Sequence, residues 1–236
     1  VTWREVPMEP DTTSAWLNIA QIVAGNAGVI VTTRDEEQAS RGRPVIGPIW
    51  VLRAAGFERV ETPFTGLQAD SVEVWAVDGG FFANDGATFS GEGIASGASR
   101  SWFSADGRTW TEVVDRPVRL VVTAAFGQTV YGVAEAAGAA DADVVSVNGG
   151  RTWTDAPERP TAVWPLPMAV GDGGFVTGSG WTTEGDGIGV VWASADGVTW
   201  ERAMDLWPPI PIVGQLLWAN DDTIIFALGT TVVVGE

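Results

Sequence analysis

The stretch Ser194-Ala195-Asp196-Gly197-Val198-Thr199-Trp200 decides how the rest of the chain is read. It returns as Ser104-Ala105-Asp106-Gly107-Arg108-Thr109-Trp110. A third copy, one residue longer, runs Ser146-Val147-Asn148-Gly149-Gly150-Arg151-Thr152-Trp153. Recurrence at this kind of interval marks a repeat architecture, in which each copy belongs to one supersecondary unit. Ser and Asp or Asn side chains bond backbone groups across a turn, and Gly supplies a left-handed position. The motif is therefore expected to be a turn between two strands.

Working outward, short runs rich in Val, Ile, Phe and Trp alternate with Gly/Asp/Asn turns, the pattern of many short strands. No convincing helical periodicity of ten or more residues is present. Each unit reads strand A, tight turn, strand B, a longer loop, strand C, motif turn, strand D. The tight turns are Gly25-Asn26-Ala27-Gly28, Asp78-Gly79-Gly80, Phe126-Gly127-Gln128, Gly171-Asp172-Gly173-Gly174 and Asn220-Asp221-Asp222. In the first unit the motif turn is degenerate, Arg53-Ala54-Ala55-Gly56, with Phe57 in the place of Trp. The fifth unit ends after three strands. Thr2-Trp3-Arg4-Glu5-Val6 copies the Thr-Trp start of strand D, so we expect the N-terminus to complete the last unit and remove an exposed edge. The expected fold is all-β: a single domain over residues 1–236, a five-bladed β-propeller of four-stranded antiparallel blades. The blades span approximately 14–61, 67–114, 118–157, 163–204, and 210–236 plus 1–6.

Composition excludes several chemistries. The 236 residues include no Cys and no His, so thiolate chemistry, a Ser-His-Asp triad and a His-ligated zinc site are all absent. All 13 basic residues are Arg, and the net charge is -17. Such a chain repels nucleic acid and anionic membrane surfaces. No apolar run reaches the roughly 18–20 residues that span a bilayer. The chain opens on Val1 rather than Met, and we expect a segment such as a signal peptide to precede it. The expected setting is extracellular or at a bacterial cell surface, and the expected state monomeric.

The three motif copies resemble the Asp-box, or BNR-repeat, β-propellers, whose pattern is Ser/Thr-x-Asp-x-Gly-x-Thr-Trp with a common shorter form. Ser104 to Trp110 and Ser194 to Trp200 match the shorter form; Ser146 to Trp153 matches the longer, with Asn148 for Asp. The resemblance implies that the box is structural. Its members here are Ser104, Asp106, Gly107, Trp110, Ser146, Asn148, Trp153, Ser194, Asp196, Gly197, Trp200 and, at the ring closure, Trp3. It also implies that binding sits on the opposite face, on the B–C loops and D–A connections, consistent with function residing on loops held by a rigid scaffold.

Sialidases, which share this resemblance, need an arginine triad, a Tyr nucleophile and an Asp acid. Arg34, Arg100 and Arg119 can reach the loop face, but nothing fixes them as a triad, and Tyr131, the lone tyrosine, falls between apolar neighbours. Two carboxylates suffice for a general glycosidase, and loop carboxylates such as Asp35, Asp85, Glu92 and Glu184 are too many to single out a pair. Trp16, Trp164, Trp181 and Trp207 fall in or near loop-face segments, where an indole can stack on a sugar or anchor a partner. The ligand-binding candidates are therefore these four Trp with Arg34, Arg119, Glu184 and Asp186. No catalytic residue, cofactor or metal site is assigned. Calcium at Glu184-Gly185-Asp186 or Asp141-Ala142-Asp143 has the right oxygen donors but matches no known loop spacing. The expected function is a non-catalytic binding or scaffold propeller for a carbohydrate or protein. The alternative is a secreted glycoside hydrolase of sialidase-like fold acting through paired carboxylates.

Overall fold

A computed structural model describes residues 17–35, 45–67, 72–85, 88–90, 93–95, 99–115, 117, 119–134, 142–156, 168–171, 174–179, 189–206, 214–219, 224–228 and 231–235. Among these the chain is all β, with no helix. The first sheet holds β1 (Leu17–Gly25), β2 (Gly28–Asp35), β4 (Ile49–Arg53) and β5 (Gly56–Val60) in that order, with short β3 (Val45–Ile46) also on β2. The second holds β6 (Val72–Val77), β7 (Gly80–Asp85), β10 (Arg100–Ser104) and β11 (Thr111–Glu112). Between β7 and β10 stands a separate hairpin, β8 (Thr88–Ser90) and β9 (Gly93–Ala95). The third sheet is β12 (Leu120–Phe126), β13 (Thr129–Ala134), β14 (Ala142–Ser146) and β15 (Thr154–Asp155). The fourth is β16 (Met168–Gly171), β17 (Gly174–Ser179), β18 (Gly189–Ser194) and β19 (Glu201–Leu206). A fifth has three described strands, β20 (Gly214–Ala219), β21 (Ile224–Leu228) and β22 (Thr231–Gly235).

Every pairing is antiparallel, and each sheet is a meander in chain order. The first strands meet in succession: β1 packs on β6, β6 on β12, β12 on β16 and β16 on β20. Sheets that radiate from their first strands, each stacked on the next, are the blades of a β-propeller.

The cores lie between blades. One joins Ile30, Ile49 and Val51 of the first blade to Val74, Phe81, Ala83 and Trp102 of the second, with Phe64 of the connection between them. The next joins Val77, Phe82 and Val113 to Leu120, Val122, Val130 and Val144 of the third. A third gathers Ala124, Tyr131 and Val145 with Phe175 of the fourth. The Phe81–Ala83 run of strand β7 shows why it is apolar on both faces. Side chains alternate between sheet faces, and Phe81 and Ala83 face one core while Phe82 faces the next. A middle strand of a stacked blade has no solvent side.

The expected strand order matches the first four sheets and the three described strands of the fifth. Two features differ. In the second, third and fourth blades strand D begins after the motif Trp, at Thr111, Thr154 and Glu201, because the Thr-Trp pair is spent inside the turn. The stretch read as a plain loop between β7 and β10 contains the β8–β9 hairpin. Residues 1–16, which carry Trp3 and the expected closing strand, lie outside the described residues.

Candidate functional site

The repeated motif forms a closed set of hydrogen bonds, best seen at Ser104. The Gly107 N–H donates to Ser104 Oγ at 2.8 Å, and Ser104 Oγ donates to Asp106 Oδ1 at 3.1 Å. The same Oδ1 accepts from the N–H groups of Arg108 at 2.8 Å and Thr109 at 2.9 Å. Trp110 Nε1–H turns back to the Gly107 carbonyl at 3.1 Å. Ser194 and Asp196 repeat this with the N–H groups of Gly197, Val198 and Thr199. In the longer copy Asn148 Oδ1 accepts from Thr152 N–H at 3.0 Å, and Gly150 N–H donates to Ser146 Oγ at 2.9 Å.

Backbone N–H groups, those of Thr109 and Arg108 first, hold the Asp106 carboxyl below its ordinary pKa; Thr199 and Val198 do the same for Asp196. A carboxylate held ionised by hydrogen bonds from its own turn is poorly suited to act as a general acid. The glycines must reach positive φ, +75° at Gly107 and +73° at Gly197.

Each turn also reaches backward onto the preceding blade, so we call it a clasp. A Cβ on Gly107 would stand 3.0 Å from Ile30 of the first blade, and one on Gly150 would collide with the Phe82 ring of the second. Trp110 meets Phe64 edge-on at 5.1 Å, and Trp200 meets Tyr131 edge-on at 6.1 Å. Trp153 lies 5.9 Å from Phe82. Tyr131 is thus sealed in a core between blades at 0% exposure, beyond the reach of a substrate.

The opposite end of the second blade carries the polar groups described on the loop face. Asn84 is buried and its Nδ2 donates to Ser101 Oγ at 2.9 Å. Ser99 Oγ accepts from Leu120 N–H at 2.9 Å, tying this end to the third blade. Arg100 pairs with Asp85 at 3.3 Å and lies 5.5 Å over the Trp102 ring. Glu73 stands opposite Asn84 in the β6–β7 register. Desolvation pushes its pKa above the ordinary carboxylate value, although the residue keeps contact with solvent. Sequence reading missed Glu73, Asn84 and Ser101. The available signal was a polar residue inside an otherwise apolar run.

Of the expected ligand-binding residues, Arg34 is half-buried at the loop end of β2 and Arg119 half-buried just before β12. Arg100 is engaged with Asp85 and Trp102. These three arginines belong to three successive blades. Trp16, Trp164, Trp181, Trp207, Glu184 and Asp186 lie outside the described residues. Among the described residues no group of three or more His, Cys, Asp or Glu comes together to hold a metal. No helix among them is long and apolar enough to cross a membrane.

A concavity of about 620 Å³ opens at the other end of the axis, where strands A turn into strands B. It is lined by residues 21–26 of the first blade, 74–78 of the second and 125–127 of the third.

No protein-family model matches the chain, and no curated protein does. Three solved structures resemble it at a distance. TolB from Acinetobacter baumannii is 14% identical, with 78% of this chain covering 42% of that one at a TM-score of 0.45. A puromycin-hydrolyzing peptidase of Mycobacterium tuberculosis is also 14% identical, with 92% covering 36% at 0.45. YCF48 bound to D1 peptide is 10% identical, with 93% covering 81% at 0.33. The chain thus spans less than half the length of the first two, and the blade order described above is what carries the fold.

Proposed function

We propose that this chain is an Asp-box propeller of five blades, closed by its N-terminal strand, that serves as a non-catalytic binding scaffold. Its partner is a carbohydrate or a protein held on the B–C and D–A loop face, in an extracellular or cell-surface setting. The observation that carries this reading is the engagement of every clasp carboxylate and amide inside its own turn. The clasps are occupied, and the loop end presents Arg100, lying over the buried Trp102 ring, and Glu73 on a scaffold whose cores lie between blades. Screening the protein on a glycan array and against immobilised candidate proteins tests it. Binding without turnover is expected, weakened by Trp181→Ala and Arg100→Ala and untouched by Arg108→Ala on the clasp side. Binding that survives both loop-face changes overturns the assignment of the face.

One observation favours a second reading. Glu73 is an exposed carboxyl at the loop end of an inner strand whose pKa is raised by partial desolvation, the direction in which a general acid is tuned. In a two-carboxylate glycoside hydrolase it would protonate the leaving oxygen. Release of reducing sugar that disappears in Glu73→Gln would establish that reading and sink the non-catalytic one.

A further inference from the structure

The axial concavity at the turn end carries a recognition element of its own. Val77 and Gly80 close the β6–β7 hairpin around Asp78 and Gly79. The closing pair of a two-residue hairpin is bonded across the strands, and bonded pairs alternate with unbonded ones along an antiparallel ladder. Val74 and Ala76 therefore aim their peptide N–H and C=O away from β7. Because β6 is the innermost strand of its blade, that direction is toward the axis.

The Val74 position shows what such an edge accepts. The carboxamide of Gln21, from the first blade, makes both bonds: Nε2 donates to Val74 O at 2.8 Å, and Val74 N–H donates to Oε1 at 3.1 Å. One side-chain amide reproduces there the two-point contact of a neighbouring strand. Farther along, Asp78 N–H donates to the Gly127 carbonyl at 2.7 Å. Ala76 lies between these two, and among the described residues no cross-axis bond engages its peptide groups.

The space in front of Ala76 falls within the range of roughly 300–1,000 Å³ typical of ligand clefts. Ala24, Gly25, Ala125 and Gly127 keep it open. Ile22 lines it with 64% of its surface exposed, and the exposed carboxylate of Asp78 takes one long bond from Asn26 Nδ2 at 3.3 Å. We propose that this cleft binds a short basic peptide segment entering from the turn end. One peptide group of the segment pairs with Ala76 as Gln21 pairs with Val74. A cationic side chain meets Asp78, in keeping with a net charge of -17, and an aliphatic side chain lies on Ile22. The site is distinct from the loop face proposed above, on the other end of the same axis.

The test is a titration of the whole chain, isotopically labelled, with the blocked peptide acetyl-Ile-Ala-Arg-Ala-amide, followed by amide NMR. The Ala76 and Asp78 N–H signals should shift at up to millimolar peptide, a contact of modest affinity. Replacing the peptide's Arg by Glu should weaken binding roughly tenfold, as like charges now meet at the rim. Ala24→Trp fills the cleft from an exposed position and should abolish the shifts. Asp78→Asn keeps the turn and should weaken the Arg peptide several-fold, so the proposal stays testable if Ala24→Trp does not fold. Shifts confined to loop-end residues such as Asn84 and Ser101, or equal binding by the Arg and Glu peptides, overturn it. Response to an oligosaccharide at Ala76 in place of the peptide overturns it too, while loop-face binding in the array experiment could still stand.

Discussion

The first and second blades turn strand C into strand D in different ways. In the first, Arg53 and Gly56 close a plain two-residue hairpin, and the register runs unbroken over five pairs to Ile49 and Val60. In the second, the clasp takes up Ser104 to Trp110 and leaves a strand D of two residues, Thr111–Glu112. In this blade the ladder is short, although the fourth blade carries the same clasp with a six-residue strand D, and the clasp gains a hold on the blade before it through Gly107, Trp110 and the Arg108 side chain. That arginine pairs with Glu58, which Arg53 also approaches at 3.6 Å, and Arg53 Nη2 donates to the Asp106 carbonyl at 3.1 Å. The degenerate turn of the first blade is thus a receiving surface. Among the described residues it clasps nothing, and it is what the second blade clasps. In the third blade Arg151 plays the part of Arg108, lying 3.8 Å from the centre of the Phe103 ring. Degeneracy of a repeat can therefore mark its place in the stack.

The strongest way to break this contrast is at the glycines. Gly150→Ala puts a methyl into the Phe82 ring at a φ of +84°, so overpacking and backbone strain combine. We expect a loss of about 3 kcal/mol or more in denaturant unfolding. Gly79→Ala, at φ +79° in an A–B turn with nothing within 4 Å of the new methyl, should cost only about 1 kcal/mol. Equal losses would show that the clasp glycine serves the turn alone.

Trp110→Ala comes next. It removes the edge contact with Phe64 and the bond to Gly107 O, and should cost on the order of 3 kcal/mol. The matching change in the first blade, Phe57→Ala at a half-buried site in the plain hairpin, should cost visibly less; a larger loss there would reverse the assignment of roles. Ser104→Ala leaves Gly107 N–H without its acceptor in a buried turn and should cost about 1–3 kcal/mol.

Asp106 and Asp196 set a pH dependence. Both carboxyls have folded pKa values below their unfolded ones, so their contribution is present above the ordinary Asp value of about 3.9 and fades as pH falls through the folded values. Asn148 shows that an amide holds the same turn. The double variant Asp106→Asn/Asp196→Asn should therefore fold near neutral pH and lose less stability than the parent between pH 5 and pH 2. An unchanged acid limb would remove these two groups from the account. The smallest effect belongs to Arg108→Ala. Its pair with Glu58 is exposed, so the loss should stay within about 1 kcal/mol and shrink with added salt.

Much of the fold was legible because its cause is local. The turn chemistry of Asp78-Gly79 and the Ser/Asp/Gly set of the clasp act within a few residues, and β7 needs apolar side chains on both faces. What was not legible is relational. Nothing in Gly150 itself says that the ring of Phe82, 68 residues earlier, will lie against it. Gln21 reads as an ordinary polar residue in a strand until Val74 of the neighbouring blade is seen beside it. The Ser90-Gly91-Glu92-Gly93 stretch did carry a hairpin signal, a Gly-x pair between strand-forming residues, that a loop reading passed over. For the candidate site the balance is poorer. The residue types at the loop end were expected, but Glu73 and Asn84 were not. Asn84 is set apart by burial and Glu73 by standing opposite it in the register, and both appear only once strands pair and blades stack.

The backward reach of the clasps has a consequence for how such a protein is made. The second, third and fourth blades each dock onto the one that precedes it in the chain, so the receptor has already been made when the clasp is synthesised. Assembly can then run as a ratchet from the N-terminal side, one blade at a time, with each new turn locking the joint behind it. Growth by copying a whole strand-A-to-strand-D segment would preserve both halves of every joint, which lets such a stack lengthen without redesign.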